Sequence, residues 1–244
     1  MVSASIVVHD NTTFLRDLLA SLSSFQEISE IIVRFNLRRE AYQDIDLASG
    51  DFIKFFFNDS PLGFGKNHNL NFRLSKSDFF CVLNPDLIFG KNPFPSLLRN
   101  TEAEILGAIS PVVLDLDGDV SDHARNFRCL KNFILGEPCN AYTEDCRNGD
   151  TISVDSIAGM FMLIPRYSYE LVNGFDEKFF LYYEDTDLCR RLHKENRLVA
   201  VDLLSKVTHH AQRKSHSSAK FFFYHLVSFI RYYLKHRDFL SVRA

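Results

Sequence analysis

The chain has 244 residues, 46% of them hydrophobic, which is enough for one sizeable core. Its formal net charge of -3 gives no reason to expect a nucleic-acid partner. No apolar run reaches the roughly 18 residues of a membrane span, and the first ten residues lack the pattern of a signal peptide. Five cysteines without a CxxC pair indicate neither a zinc knuckle nor a disulfide framework, so we expect a cytoplasmic protein.

The first ninety residues alternate between short apolar runs and helical patterns. Apolar runs at 4–8, 28–35, 52–57 and 79–83 predict buried parallel strands. Leucines recur at helical spacing between 14 and 22, and residues 65–74 have the pattern of a polar helix. This alternation is typical of a Rossmann-like open sheet, whose ligands gather at the carboxyl ends of the strands.

The second half of the chain has a different order of elements. The acidic segment 115–119 predicts a turn, because an EF-hand needs more ligands and a closing glutamate. The patterns then predict an apolar run at 157–164, a helix at 184–194, a strand pair near 198–208 and a final helix at 217–236. We expect one α/β domain followed by a tail.

A Leu-Asn-Pro-Asp-Leu segment, residues 83–87, follows the fourth predicted strand. Pro85 cannot extend a hydrogen-bond ladder, so the strand should stop with Asp86 at its carboxyl end. A carboxylate there suits a hard divalent ion, Mg²⁺ or Mn²⁺, that bridges to nucleotide phosphates. An Asx-Pro turn without a ligand explains the same residues, and both interpretations stay open.

Residues 174–191 combine acids, aromatic residues and arginines in a turn that leads into a helix. Glu184, Asp185 and Asp187 fall in the first helical turn, where the helix dipole favours acids. Asp187 and Arg191 also form an ordinary i,i+4 pair, so part of the cluster is structural. A carboxylate beside aromatic rings is partly desolvated, however, which raises its proton affinity and suits it to general-base catalysis.

Two weaker patterns complete the set of candidates. His209, at the end of a predicted strand, would complete a metal site with Asp86 if neutral or bind a diphosphate if protonated, and a surface histidine is the alternative. The turn at 58–69 has neither a dinucleotide fingerprint nor a P-loop. Its glycines Gly63 and Gly65 would let the backbone approach a nucleotide, with Asn69 available to hydrogen-bond, but a helix-entry turn explains them equally well.

Taken in order, these segments resemble the family-two glycosyltransferases, particularly the rhamnosyltransferase-like enzymes of bacterial O-antigen and cell-wall assembly. The resemblance is carried by residues 5–10, 31–36, 63–69, 83–86, 158–163, 174–191 and His209. It implies a GT-A fold, an α/β architecture with an open, mostly parallel sheet flanked by helices. The catalytic domain would be residues 1–212, with a nucleotide-sugar half of about 1–90 and an acceptor half of about 91–212. A basic, aromatic C-terminal helix would occupy 213–244.

The resemblance also implies roles for individual residues in an inverting, metal-dependent transfer. Asp86 corresponds to the aspartate of the metal-binding motif, whose first acid is here Asn84, and His209 to the later metal ligand. Asp185 corresponds to the catalytic base that deprotonates the acceptor hydroxyl, with Glu184 beside it and Asp187 orienting the acceptor or the helix. The implied donor-binding residues are Val8, Asp10, Asn36, Gly63, Phe64, Gly65, Asn69 and Asn84. The implied acceptor-binding residues are Gly159, Met160 and Tyr183.

One position departs from the family pattern. The second strand usually ends in Asp-Asn, whose aspartate contacts the nucleotide base, whereas this chain has Phe35-Asn36. Losing that acceptor would alter donor affinity or base preference, unless Asp10 or Asn36 compensates. Phe35 also favours a rival hypothesis, a non-catalytic sugar-nucleotide-binding or scaffold protein. A nucleotidyltransferase is a further rival, but residues 9–16 lack its glycine-rich, basic phosphate loop.

The resemblance favours dTDP-rhamnose as donor, with UDP-sugars next, and a glycan or lipid-linked glycan as acceptor. From residue 206 onward the chain has eight Lys or Arg and one acid, Asp238. Together with apolar residues at helical spacing, this charge fits contact with the inner face of the plasma membrane. Packing of the same helix on its own domain, or on a second subunit of a homodimer, is the alternative.

Overall fold

A computed structural model describes residues 1–9, 12–42, 50–99, 105–127, 150–210 and 219–236. Several residues discussed above lie outside the described residues: Asp10, Cys129, Cys139, Cys146, Arg213, Lys214, Arg237, Asp238 and Arg243.

The described strands are β1 (Val2–Val8), β2 (Ile28–Phe35), β3 (Ile53–Phe57), β4 (Phe79–Leu83), β5 (Leu87–Ile88), β6 (Leu106–Leu114), β7 (Ala124–Arg125), β8 (Thr151–Ser153), β9 (Ser156–Ile157), β10 (Phe161–Pro165) and β11 (Leu198–His209). The described α-helices are α1 (Leu15–Ser24), α2 (Phe64–Phe72), α3 (Phe94–Arg99), α4 (Arg166–Leu171), α5 (Glu184–Lys194) and α6 (Ala219–Lys235). A 3₁₀ turn spans Arg39–Tyr42.

The central sheet has the order β3-β2-β1-β4-β10-β6-β11-β5, with β8 paired to β11. Strands β3, β2, β1 and β4 are parallel, β10 is antiparallel to both β4 and β6, and β11 is parallel to β6. The carboxyl ends of β1, β2, β4, β6 and β11 therefore meet at one edge of the sheet. This edge is where the predicted donor and metal residues lie.

The two faces of β1 explain how the polar helix α2 is buried. Ala4, Ile6 and Val8 point into a fully buried apolar core, whereas Ser5 faces α2. Ser5 Oγ lies 2.8 Å from His68 Nδ1 and accepts a hydrogen bond from Asn71 at 3.0 Å. Because buried polar groups are stable only when they are paired, this network fixes α2 on the sheet.

Two sequence predictions need correction. The strand pair expected near 198–208 is a single strand, β11, with a register irregularity between Asp202 and Lys206. Asp202 stabilises this irregularity by accepting hydrogen bonds from Ser205 Oγ at 2.6 Å and from the Leu204 amide at 3.2 Å. The apolar run at 157–164 is interrupted, because β9 ends at Ile157 and β10 begins only four residues later. The interruption, residues 158–160, forms part of the candidate site.

The other elements agree with the sequence analysis to within a few residues. The acidic segment is a turn, in which Asp115 Oδ1 accepts the amides of Asp117 and Asp119, both at 3.0 Å. Helix α5 has the predicted limits, and α6 ends one residue earlier than expected; residues 217 and 218 of the predicted helix lie outside the described residues. Among the described helices, none combines the length and the hydropathy needed to cross a membrane.

Candidate active site

The ends of β4 and β11 bring together three of the predicted residues. His209, the last residue of β11, has its Nε2 atom 3.0 Å from Asp86 Oδ1 and 3.2 Å from Asn84 Nδ2. The segment is held in place because the His210 amide donates to the Asp86 carbonyl at 3.0 Å. The backbone amide of Asn84 donates a hydrogen bond to the Met160 carbonyl at 2.9 Å, which links this edge to the 158–160 segment.

The Asp86–His209 pair fits a divalent cation. In the neutral tautomer with its proton on Nδ1, His209 presents the lone pair of Nε2 to Asn84 Nδ2, which can only donate. His209 Nε2 also faces Asp86 Oδ1, a buried oxygen atom that accepts no other hydrogen bond. In that tautomer two lone-pair atoms face each other at 3.0 Å, an arrangement that a cation bound to both would stabilise. Neighbouring ligands of an octahedral ion with bonds of about 2.1 Å are also about 3 Å apart.

These two residues alone do not complete a coordination shell. Within the described ranges, no group of three or more His, Cys, Asp or Glu side chains converges on one point. A Mg²⁺-type ion typically takes one or two protein ligands, substrate phosphates and water. The residues present therefore fit an ion that is bound together with a nucleotide.

Asp185 lies at the start of α5 and is held by backbone amides. Its Oδ2 accepts the Gly159 N–H at 3.0 Å and its Oδ1 accepts the Thr186 N–H at 2.7 Å. A Cβ at position 159 would lie 3.0 Å from the Phe64 ring, so glycine favours the close approach of this turn. Asp185, Gly159 and Asn84 all line the same cavity.

The turn before Asp185 has an unusual backbone. Tyr182 and Tyr183 both have positive φ, 70° and 64°, a region that costs a non-glycine residue about 1–2 kcal/mol. Helix α6 supports them, because the ring centroids of both tyrosines lie 5.3–5.4 Å from His225 and Tyr183 also packs 5.4 Å from Tyr232. Such conformations persist where the surroundings fix them, often at active sites.

Glu184 and Asp187 are both buried, but their environments are opposite. Burial and the neighbouring Asp185 raise the pKa of Glu184 well above its usual range, and its Oε2 has no hydrogen-bond partner. Burial also acts to raise the pKa of Asp187, but hydrogen bonds and positive charges outweigh it and lower that pKa to about 2. The residues responsible, at 2.7–2.8 Å, are Arg191, Lys235 and His236.

Asp187 therefore has a structural position. Its side chain is fully buried and is absent from the cavity lining, whereas Glu184 and Asp185 belong to that lining. Lys235 and His236 come from the end of α6, so Asp187 fastens this helix to α5. Of the two roles considered for Asp187, the geometry supports orienting the helix.

A cavity of about 840 Å³ lies in front of Asp185 and is large enough for a sugar-sized ligand. All three predicted acceptor residues, Gly159, Met160 and Tyr183, line it. Sequence reasoning missed the contribution of α6 to its wall: Phe221, Phe222, His225, Tyr232 and Tyr233. Their three- and four-residue spacing was a visible signal, but it did not show which face of the helix turns inward.

Asn69, which the sequence predicts as a donor contact, has both side-chain amide atoms in hydrogen bonds within the protein. Asn69 Nδ2 donates to the Phe175 carbonyl at 2.9 Å, and its Oδ1 accepts from Tyr169 at 2.6 Å and from the Phe175 amide at 3.0 Å. Both amide atoms are used to hold the loop before α5.

Gly63 and Gly65 also serve this packing. A Cβ at Gly63 would lie 2.9 Å from the Phe180 backbone, and one at Gly65 would lie 2.5 Å from Phe175 Cβ. The glycines allow α2 to approach the 175–180 loop, so the helix-entry explanation is the one the contacts support. Phe64, between them, lines the cavity beside Gly159.

Two further predicted donor residues, Val8 at the end of β1 and Asn36 after β2, also make hydrogen bonds within the protein. Asn36 Oδ1 accepts hydrogen bonds from Leu62, Asn58 and Asn67 at 2.8–3.1 Å, and its Nδ2 donates to the Leu62 carbonyl. The Val8 carbonyl accepts the Asn36 amide at 2.7 Å. Asn36 thus holds the loop that leads into α2, at the edge where a nucleotide would bind.

Phe35 belongs to the core and not to the surface of this edge. It is fully buried, stacks on Phe57 with ring centroids 4.9 Å apart, and packs 4.5 Å from Tyr42. An aromatic side chain in that position offers no acceptor to a nucleotide base. Phe35, where the family pattern has aspartate, is therefore a core residue that packs between the ends of neighbouring elements.

This fold and this edge define the class of the protein. Of the solved structures, GalNAc-T7 with UDP, GalNAc and Mn²⁺ matches 87% of the chain at 13% identity, with a TM-score of 0.66. The mannosyltransferase PcManGT of Pyrobaculum calidifontis, with GDP-Man and Mn²⁺, matches 96% at 10% identity, with a TM-score of 0.65. The chain spans 43% and 64% of those two proteins. It has the GT-A glycosyltransferase fold.

Sequence comparison identifies the family. The chain is 31% identical to rhamnosyltransferase WbbL of Escherichia coli over 97% of its own length and 94% of that protein. It is 32% identical to the N-acetylglucosaminyl-diphospho-decaprenol L-rhamnosyltransferase of Mycobacterium tuberculosis over 59% of its length, about half (49%) of that enzyme. No family model matches. The chain belongs to the rhamnosyltransferase-like glycosyltransferases of bacterial surface-glycan synthesis, so its function is sugar transfer, with rhamnose as the favoured sugar.

Proposed function

We propose that this protein transfers rhamnose from dTDP-rhamnose to a hydroxyl of a lipid-linked glycan, by one inverting displacement that needs a divalent metal. The observation that supports this most strongly is the position of Asn84. Its side chain faces His209 in the candidate metal site, and the same residue lines the cavity that contains Asp185. The donor diphosphate and the acceptor hydroxyl would then lie close together, one on each side of Asn84.

Asp86 and His209 would hold the metal, which when bound would neutralise the negative charge that develops on the leaving diphosphate. We assign to Asp185 the role of general base. The hydrogen bonds from the Gly159 and Thr186 amides fix its orientation. As the acceptor oxygen forms its bond to the anomeric carbon, its proton passes to Asp185. The bond from that carbon to the diphosphate breaks on the opposite face and leaves dTDP.

The cavity supports a sugar acceptor. Tyr183 and Tyr233 combine an apolar ring with a hydroxyl group, which suits the faces and edges of a sugar ring. The mycobacterial relative is named for a decaprenyl-diphosphate-linked acceptor, which favours a lipid-linked acceptor here as well. Such an acceptor would place the protein at the inner face of the plasma membrane.

The first test addresses the donor site. Thermal unfolding is measured with dTDP, UDP, GDP and their sugars, with and without Mn²⁺, on the wild type and on Asp86→Ala. A ligand at 100 times its Kd stabilises by about 2.7 kcal/mol, so binding by one nucleotide class gives a clear shift. We expect a Mn²⁺-dependent shift with the dTDP compounds that Asp86→Ala abolishes. A shift that is the same in Asp86→Ala, or no shift at all, would contradict the proposed donor site.

The second test addresses the chemistry. Asp185→Asn keeps the shape of the side chain and removes its basicity, so transfer should fall by about 10²–10⁴-fold. Asp78→Asn is the matched control and should leave transfer unchanged, because the Asp78 side chain is 83% exposed and does not line the cavity. The product linkage, read by NMR, should have the anomeric configuration opposite to that of the donor. Retention of configuration, or full activity in Asp185→Asn, would overturn the mechanism.

A further inference from the structure

Helix α6 has an exposed apolar stripe in addition to the face that lines the cavity. Residues spaced four apart, together with one neighbour, form this stripe, and their exposed fractions run from 42% to 70%: Phe222, Phe223, Leu226, Ile230 and Leu234. Twelve residues separate its ends, which corresponds to about 18 Å along the helix. The opposite face is occupied, because Ser228 and Tyr232 are buried against the domain.

Basic residues border the stripe. Lys220 lies three positions before Phe223 and Arg231 three positions before Leu234, so each is a neighbour of a stripe residue on the helix surface. Helix α6 contains no acidic residue between its first and last positions. A helix with an aromatic and aliphatic face beside basic side chains has the composition of an interfacial helix that binds anionic lipid.

The stripe and the cavity share one residue. Phe222 is the most exposed member of the stripe, at 70%, and it also belongs to the cavity lining. The mouth of the cavity therefore opens beside the apolar surface. From this continuity and the charge pattern we infer that the stripe of α6 docks the protein on an anionic lipid surface, with the acceptor cavity opening at that surface.

A second copy of the chain fits the stripe less well. Two-fold pairing of α6 with itself would bring Lys220 and Arg231 of both copies to one interface. The helix offers no acid to neutralise them, and like charges at an interface are unfavourable. A lipid surface with anionic headgroups provides both the apolar layer and the missing negative charge.

The test is flotation of the purified full chain with vesicles of phosphatidylcholine containing phosphatidylglycerol, compared with phosphatidylcholine alone. We expect binding to the anionic vesicles that is weaker on the zwitterionic ones and weaker at high salt. Ile230→Ser with Leu234→Ser should lower the binding constant by about tenfold or more, because both side chains would leave the lipid. Lys220→Gln with Arg231→Gln should lower binding to the anionic vesicles alone, by about tenfold.

The matched control is Leu116→Ser with Leu204→Ser, since these leucines are 59% and 57% exposed and lie outside α6. This control should bind vesicles like the wild type. Absence of vesicle binding by the wild type, or full binding by the Ile230/Leu234 variant, would overturn the inference. A concentration-dependent dimer that the same variant abolishes, without vesicle binding, would assign the stripe to a second copy instead. Flotation does not measure sugar transfer, so its failure leaves the proposed chemistry untouched.

Discussion

Replacing Asp187 with asparagine removes the charge that fastens α6 to α5. The side chain is fully buried among Arg191, Lys235 and His236, and these partners lower its pKa from an ordinary 3.8 to about 2. At about 1.4 kcal/mol per pKa unit, this difference corresponds to roughly 2–3 kcal/mol of stability at neutral pH. Because asparagine also removes the carboxylate partner of the mostly buried Arg191, we expect Asp187→Asn to destabilise the protein by at least that amount.

The measurement is thermal unfolding at pH 7, where a protein of this size loses about 2–4 °C per kcal/mol. Asp187→Asn should therefore unfold roughly 5–10 °C below the wild type. Asp59→Asn is the control, since the Asp59 side chain is fully exposed and lies 4.0 Å from Arg38. A decrease for Asp187→Asn no larger than that for Asp59→Asn would refute the structural role given to Asp187.

The same carboxylate predicts a pH dependence. A group whose pKa is lower in the folded state stabilises the protein above its unfolded pKa, and this contribution is lost as pH falls through the folded value. The difference in stability between wild type and Asp187→Asn should thus be constant above about pH 5 and shrink between about pH 4 and pH 2. Hydrogen exchange in residues 219–236 should increase in the variant, because α6 loses its attachment.

The remaining predictions concern Glu184, Gly65 and Phe35. Because the pKa of Glu184 is raised in the folded protein, the wild type loses stability as pH rises above about 4.5, so Glu184→Gln should become more stable relative to it over that range in urea unfolding. Gly65→Ala should cost about 1–3 kcal/mol through the 2.5 Å contact with Phe175 Cβ, whereas Gly90→Ala, where a Cβ meets nothing within 4 Å, should be neutral. Phe35→Asp should lower the melting temperature without tightening dTDP binding, since it places a charge in a fully buried aromatic cluster; tighter binding would show that the acid can reach the base.

The strand ends were predictable from the sequence because the constraint there is local. Pro85 stops β4, so Asp86 had to follow the strand, and the apolar run that ends at His209 placed this residue at a strand end as well. Parallel strands then bring the two ends to one edge. Only the orientation of the side chains, which puts Nε2 within 3.0 Å of Asp86, required the structure.

Asn69 and Gly65 show why the donor residues were harder to assign. A glycine that approaches a nucleotide and a glycine that approaches Phe175 have the same sequence pattern, and an asparagine that binds a ligand resembles one that holds a loop. What tells the two roles apart is the position of Phe175, which lies more than a hundred residues further along the chain. No local pattern carries that information, so the sequence alone leaves both roles open.

The position of α6 changes how the C-terminal segment is understood. Sequence patterns left three alternatives for it, namely membrane contact, packing on its own domain and packing on a second subunit, because its aromatic residues occur on more than one side of the helix. In the structure, one face of α6 packs on its own domain, where Tyr232 and His225 contact the left-handed turn before Asp185. Leu226 and Leu234 lie on another face and are exposed. The turn before Asp185 packs on α6, so residues on both sides of the predicted boundary at 213 contribute to the candidate site.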